Sequence, residues 1–132
     1  MNDIDTPYRD PDLLAVPVKA GTLIRAGAMV VAVSGFAAPA GVTGTPYFLG
    51  RAEERVDNTG GADGERSVIV RRGKVFRWKN NGSIQPIHRF KWAMSTADDT
   101  VGLAGSVSGN LIGQILDVDA DGVWVEPVTH NY

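Results

Sequence analysis

The sequence predicts an all-β domain, and three observations carry that expectation. Apolar residues recur with a period of two in several short runs. Gly and Pro interrupt the chain at short intervals. No window of helical length holds a convincing 3.6-residue period. The 132 residues include 16 Gly and 7 Pro, too many breaks for a helical bundle. A chain of this length forms one domain with one core. Eight to ten short strands joined by turns arrange as a sandwich or a compact barrel.

Residues 1–12, MNDIDTPYRDPD, are polar and acidic, contain Pro7 and Pro11, and read as a flexible arm. They lack the apolar core of a signal peptide. The β domain spans residues 13–128, and residues 129–132 form a C-terminal tail. Leu13 to Val18 is the first strand, followed by a turn at Lys19-Ala20-Gly21-Thr22. Leu23-Ile24 and then Ala28 to Val33 form the next extended segment. No charge occurs from Ala26 to Gly50, but five Gly with Pro39 and Pro46 break the stretch. It therefore does not offer the roughly 20 unbroken apolar residues of a membrane span. Gly35 to Pro46 reads as a long loop of small residues, in which Phe36 is an exposed anchor unless buried.

From Tyr47 to Trp78 the alternation is clearest. Val68 and Val70 share one strand face and Ser67, Ile69 and Arg71 the other; Phe76 and Trp78 oppose Val75, Arg77 and Lys79. That pattern predicts a joint core of Val68, Val70, Phe76 and Trp78 under a basic outer face. Arg72-Gly73-Lys74 and Asn80-Asn81-Gly82 read as tight turns. His88, Phe90 and Trp92 share a parity opposite Arg89 and Lys91, which predicts that the aromatics face inward. Ala97 to Thr100 is a turn before a strand at Val101 to Leu103. A Gly/Ser stretch from Gly105 to Asn110 leads to a strand at Leu111 to Val118, and Asp121-Gly122 closes a hairpin onto Val123-Trp124-Val125.

Catalytic and metal chemistry find little purchase in these residues, and the chain reads as no enzyme and as needing no cofactor. There is no Cys, so thiolate sites and disulfides are excluded. That fits assembly in a reducing cytoplasm. Asp117-x-Asp119-x-Asp121-Gly122 matches the first half of a calcium loop, but the twelfth position is Val128 and the flanks read as strands. An Asp-rich hairpin turn accounts for it. His88 reads as a partly buried core histidine, and His130 sits in the tail. No Gly-x-Ser-x-Gly elbow occurs, and the Gly-rich run from Asn58 to Gly64 lacks the Gly-Lys-Ser/Thr of a phosphate loop. Glu53-Glu54 and Asp98-Asp99 are adjacent and point to opposite faces of an extended chain.

Charge is unevenly placed behind a net of −2. Residues 51–92 hold ten of the 13 basic groups and five of the 15 acidic ones. Such a dipole could steer association with an acidic surface or with other copies; solvated outer strand faces are the favoured account. Parity sets the basic residues opposite the aromatics, unlike an RNA-binding sheet, so nucleic acid is not expected as a partner; the broken apolar stretch likewise leaves no membrane partner expected.

The order of short motifs carries a family resemblance. It runs Val16-Pro17-Val18-Lys19-Ala20-Gly21, Ala26-Gly27-Ala28-Met29-Val30 and Leu49-Gly50-Arg51-Ala52. Val56-Asp57-Asn58 with Gly61-Ala62-Asp63-Gly64 follows, then Val70-Arg71-Arg72-Gly73 and Asp98-Asp99-Thr100-Val101. Ile112-Gly113-Gln114-Ile115 and Asp121-Gly122-Val123-Trp124-Val125 complete it. From Leu13 to Val128 the chain resembles the head decoration, or capsid cement, proteins of tailed bacteriophages, including Mu-like phages and prophages. The resemblance implies a compact barrel or β-tulip-like domain on the outer surface of the virion head, assembled in the host bacterial cytoplasm. It implies the major capsid protein as partner and a homo-oligomer, a trimer before a dimer. It transfers no catalytic residue. The candidate contacts with capsid or sister subunits are Tyr8 and Arg9 in the arm, Phe36 and Pro39 in the small-residue loop, and Arg71 and Arg72 on the basic face. A virion-surface carbohydrate- or receptor-binding module is the alternative that exposed aromatics would favour. A trimeric nucleotide hydrolase with a β fold is a third, with no catalytic constellation behind it.

Overall fold

The computed structural model describes residues 3–4, 12–41, 47–107 and 109–127. The chain order is β1 (Leu13–Pro17), β2 (Thr22–Ile24), β3 (Met29–Val33), β4 (Phe36–Pro39), β5 (Tyr47–Ala52) and β6 (Val56–Asn58). It continues with β7 (Ser67–Arg71), β8 (Phe76–Asn80), a 3-10 turn η1 (Pro86–His88), β9 (Trp92–Ser95), β10 (Thr100–Leu103), β11 (Leu111–Asp119) and β12 (Gly122–Pro127). The all-β class is as the sequence predicts, with twelve strands among the described residues rather than eight to ten.

Two sheets carry the architecture. The first has the order β1-β7-β5-β3-β4, and β10-β8-β12-β11-β9 close into a barrel; β2 and β6 form a small ribbon. The barrel closes through a parallel pairing of β10 with β8, Thr100 beside Lys79 and Val101 beside Asn80. In the first sheet the two edges approach at one end, where Val18 bridges Ala37 and the Lys19 N–H donates to the Ala37 carbonyl at 2.9 Å. Proline sits on both edge strands, Pro17 on β1 and Pro39 on β4, and removes a donor that would otherwise invite another strand.

The apolar run Met29–Val33 explains how the sheets join. A strand with no polar face must be covered on both sides. Met29 and Val31 enter a core shared with Phe48, Phe76, Trp78, Ile112, Ile115 and Val123. Val30, with the opposite parity, enters a second core with Val16, Val18, Ile24, Val68 and Val70. The predicted joint core of Val68, Val70, Phe76 and Trp78 is therefore split. Arg72-Gly73-Lys74 does not close a hairpin between β7 and β8 but carries the chain from one sheet to the other. Alternation gives each strand a face; it does not say which neighbour covers that face.

The small-residue loop is also shorter than expected, because Phe36–Pro39 pairs with β3, Val33 opposite Phe36 and Val30 opposite Pro39. Small side chains here serve close packing, since Ala37 and Ala38 are fully buried. The Asp121-Gly122 hairpin forms as read, with Asp119 opposite Gly122. Gly82 in the Asn-Gly turn has φ +103°.

Polar contacts fasten the β2–β3 connection to the barrel loops. Arg25 donates from Nε to Asp98 at 2.9 Å, its Nη2 lies 3.3 Å from Asp99, and Lys79 Nζ lies 3.2 Å from the same Asp99 oxygen. The Met29 N–H donates to the Asp98 carbonyl at 2.7 Å. The Thr100 hydroxyl first, then Lys79 and Arg25, hold the Asp99 carboxyl below its ordinary 3.8.

A carboxyl depressed in the folded state stabilises the protein above its unfolded pKa and loses that contribution as pH falls through the folded value. The expected outcome is a midpoint of thermal unfolding that falls below about pH 4 in the wild type. Asp99→Asn should lower it at neutral pH and flatten its acid limb; parallel limbs for the two proteins would show that the network contributes nothing. A second expectation concerns Gly50, whose φ is +154° and where an added Cβ would run into the Arg71 carbonyl and lie 2.9 Å from Val70 Cγ1. Gly50→Ala should destabilise by about 2–4 kcal/mol in urea unfolding, because backbone cannot move aside cheaply.

Candidate interaction surface

Four exposed large apolar side chains of the barrel lie on η1, on the segment leading into β9, and on β9 and β11. Ile87 is 83% exposed, Phe90 66%, Trp92 44% and Leu111 37%. Cross-strand register gathers part of this set on one outer face, since Leu111 pairs with Met94 and Gln114 with Trp92. Residues directly opposite in a ladder share a face. Between Trp92 and Met94, Ala93 points inward and is fully buried.

This corrects the inward orientation expected for His88, Phe90 and Trp92. Pro86 opens a 3-10 turn, so the segment is not strand at His88. The ring of His88 accepts at Nδ1 from the Gln85 N–H at 2.9 Å and is half-buried on that turn. Phe90 then adopts φ +71°, reversing the side-chain direction before β9 begins. Inside a five-stranded barrel there is room for Ala93 and Ser95 from this strand, so the large residues face out.

Left-handed backbone at an aromatic residue is unfavourable by about 1–2 kcal/mol and persists only where neighbours impose it. Here the Phe90 N–H donates to the Ile115 carbonyl at 2.7 Å, the Ile115 N–H donates to the Lys91 carbonyl at 2.8 Å, and Gln114 Nε2 donates to the Phe90 carbonyl at 3.1 Å. The hydrogen bonds are all to backbone, so the ring is held outward without being used in the core. Charge flanks the surface: Arg89 donates to Asp117 at 3.0 Å and 3.2 Å, and Lys91 is exposed.

The residues singled out from the sequence are not brought together. Tyr8 and Arg9 lie outside the described residues, as does His130. Phe36 is half-buried at the β1–β4 seam, where a Cβ on Gly64 would meet its ring at 3.5 Å and Pro17 at 3.7 Å. Pro39 is half-buried on the edge of β4. Arg71 and Arg51 stand opposite each other in the ladder and share Glu53, with Arg71 Nε at 3.0 Å and Arg51 Nη2 at 2.8 Å. Those two guanidiniums hold the Glu53 carboxyl below its usual range, Arg51 first. Arg72 donates from Nε to the Leu49 carbonyl at 3.1 Å. Both arginines thus have intramolecular partners. None of Ile87, Phe90, Trp92 and Leu111 is a contact candidate from the sequence, which sets Phe90 and Trp92 inward; the available signal is the alternation of large and small residues in Trp92-Ala93-Met94-Ser95.

The Asp-rich hairpin uses its oxygens locally. Asp119 Oδ1 accepts from the Asp121 N–H at 2.8 Å and the Gly122 N–H at 3.0 Å, and Oδ2 accepts from Trp124 Nε1 at 3.1 Å. The Asp121 amide first, then the indole, hold that carboxyl below the usual range. Among the described residues no helix is long and apolar enough to cross a membrane.

Comparison of the chain with protein-family models, curated proteins and solved structures finds no significant match.

Phe90→Gly should raise stability by about 0.5–1 kcal/mol, because glycine relieves the left-handed strain while an exposed ring loses little burial. Urea unfolding checks this, and a loss of stability would show that the ring has a structural role.

Proposed function

We propose that the chain is a non-enzymatic decoration protein that binds the outer surface of an assembled phage head and stabilises it. The observation that carries this reading is the exposed set Ile87, Phe90, Trp92 and Leu111. Large apolar and aromatic groups outside a completed core mark a protein contact, the aromatics as its anchors. The ordered motifs from Leu13 to Val128 that resemble capsid cement proteins supply the kind of partner, a major capsid protein, and favour a trimer. A protein that binds only the assembled shell adds its binding free energy to the shell's stability by mass action.

Image reconstruction of heads assembled with and without the chain tests the reading. Added density on the outer surface and a higher heat tolerance of the decorated head are expected, and indistinguishable heads would overturn it. Phe90→Ala combined with Trp92→Ala should weaken head binding roughly 30-fold, the equivalent of about 2 kcal/mol at one anchor pair. A virion-surface carbohydrate- or receptor-binding module is the second reading. It is favoured by the same exposed Phe90 and Trp92, whose flat faces offer stacking platforms. Glycan-array binding that depends on those rings, without head binding, would select it.

A further inference from the structure

Of the six asparagines in the chain only Asn81 is followed by glycine, and it sits in the turn between β8 and η1. Asn81 Oδ1 accepts two hydrogen bonds from Ser83, one from its N–H at 2.9 Å and one from its hydroxyl at 2.6 Å. A backbone N–H can only donate, so this contact fixes which end of the amide is oxygen. The hydroxyl is oriented from a distant strand: Ser83 Oγ accepts the Leu103 N–H at 2.9 Å, which leaves its own hydrogen for Asn81. The Asn81 N–H donates to the Val101 carbonyl at 3.0 Å and fixes the backbone against that same strand, β10. Gly82 is exposed, with φ +103°, and a Cβ placed there would meet no atom within 4 Å. Its nitrogen is therefore unshielded by a side chain and open to water.

The geometry points to Asn81 as a site of spontaneous covalent modification, in which the Gly82 nitrogen attacks Asn81 Cγ and the side-chain amide is lost. The nitrogen gives up its proton to solvent base and bonds to Cγ, closing a succinimide. Negative charge develops on Oδ1, where the Ser83 N–H and hydroxyl already point, and donors placed where charge develops lower the barrier. The Cγ–Nδ2 bond then breaks, and Nδ2 takes up a proton from water and leaves as ammonia. Water opens the succinimide at Cγ to give aspartate, or at the Asn81 main-chain carbonyl to give isoaspartate. Water is consumed and ammonia released, with no change of oxidation state. One contact opposes the reaction: the Gly82 N–H donates to Asn80 Oδ1 at 2.8 Å, and that bond must open before attack. The other described asparagines are worse placed. Asn58 and Asn110 are buried and precede Thr59 and Leu111, and Asn80 precedes Asn81 and is tied through Nδ2 to the Ile84 carbonyl at 2.8 Å. Isoaspartate would add a main-chain carbon and a carboxylate between β8 and the η1 turn that presents Ile87.

The test incubates the full chain in mildly alkaline buffer and follows each asparagine by peptide mass spectrometry, which separates the amide from aspartate and isoaspartate. Asn81 should convert at least about tenfold faster than Asn58, Asn80 or Asn110, a barrier lower by about 1.4 kcal/mol. Ser83→Ala should slow the conversion about threefold in the folded chain, and Ser83→Thr, which keeps a hydroxyl, should preserve it. In urea, where Leu103 no longer orients residue 83, the wild type and Ser83→Ala should convert alike. Equal rates at all these asparagines, an unslowed Ser83→Ala, a Ser83→Thr as slow as Ser83→Ala, or a slowing that persists in urea would each overturn the assignment.

Discussion

The strand Met29–Val33 is buried on both faces, and the placement of both cores follows from that. Met29 and Val31 belong to the barrel core and Val30 to the core of the five-stranded sheet. Each fully buried aliphatic side chain contributes about 1.5–3 kcal/mol of apolar transfer, so neither face can be left open. Everything around the strand serves that double coverage. The β3–β4 hairpin uses Ala37 and Ala38 so that β4 can lie close, and Gly50 on the other neighbour lets β5 approach the Arg71 backbone. The Arg25–Asp98–Asp99–Lys79 network then fastens the connection that leads into β3 against the barrel loops.

Polar groups drawn into this packing are handled by a few asparagines. Asn110 spans the junction: its Oδ1 accepts from the Gly41 N–H at 2.9 Å, and its own N–H donates to the Ser95 hydroxyl at 3.0 Å. Asn58 gathers three carbonyls from two segments that lie about forty residues apart or at four residues' distance. A buried amide that is bonded at every position rigidifies its surroundings. Asn58 is bonded at its nitrogen end, and its buried oxygen is packed against Gly61.

The outer surface around β9 has a different physical origin. Once the barrel closes with five strands, its interior accepts Ala93 and Ser95 from β9, and the large side chains of the same strand must point away. The left-handed Phe90 completes the reversal, its backbone held by the Ile115 carbonyl and the Gln114 side-chain amide. Strain held at an exposed aromatic is a stability loss without a packing return, which is the pattern expected where a surface is kept for binding.

Much of the fold was legible in the chain: the strand at Leu13, the alternation of Ser67–Arg71 and Phe76–Asn80, the Asp121-Gly122 hairpin and the apolar run at Met29. These are set by local forces, namely side-chain period, turn residues and the need to cover apolar faces. The β4 strand was hidden because Phe36–Pro39 has small residues whose value appears only against a neighbour. The candidate surface was misread at Phe90 and Trp92, because parity along one strand cannot reveal a 3-10 turn or a positive φ that inverts it. What the sequence by itself determined was the all-β class, the strand faces and most turns. What only the tertiary structure decided was the division into two cores, the outward aromatics and the hold of Leu103 on Ser83 beside Asn81. Those depend on contacts between distant segments, which no local period encodes.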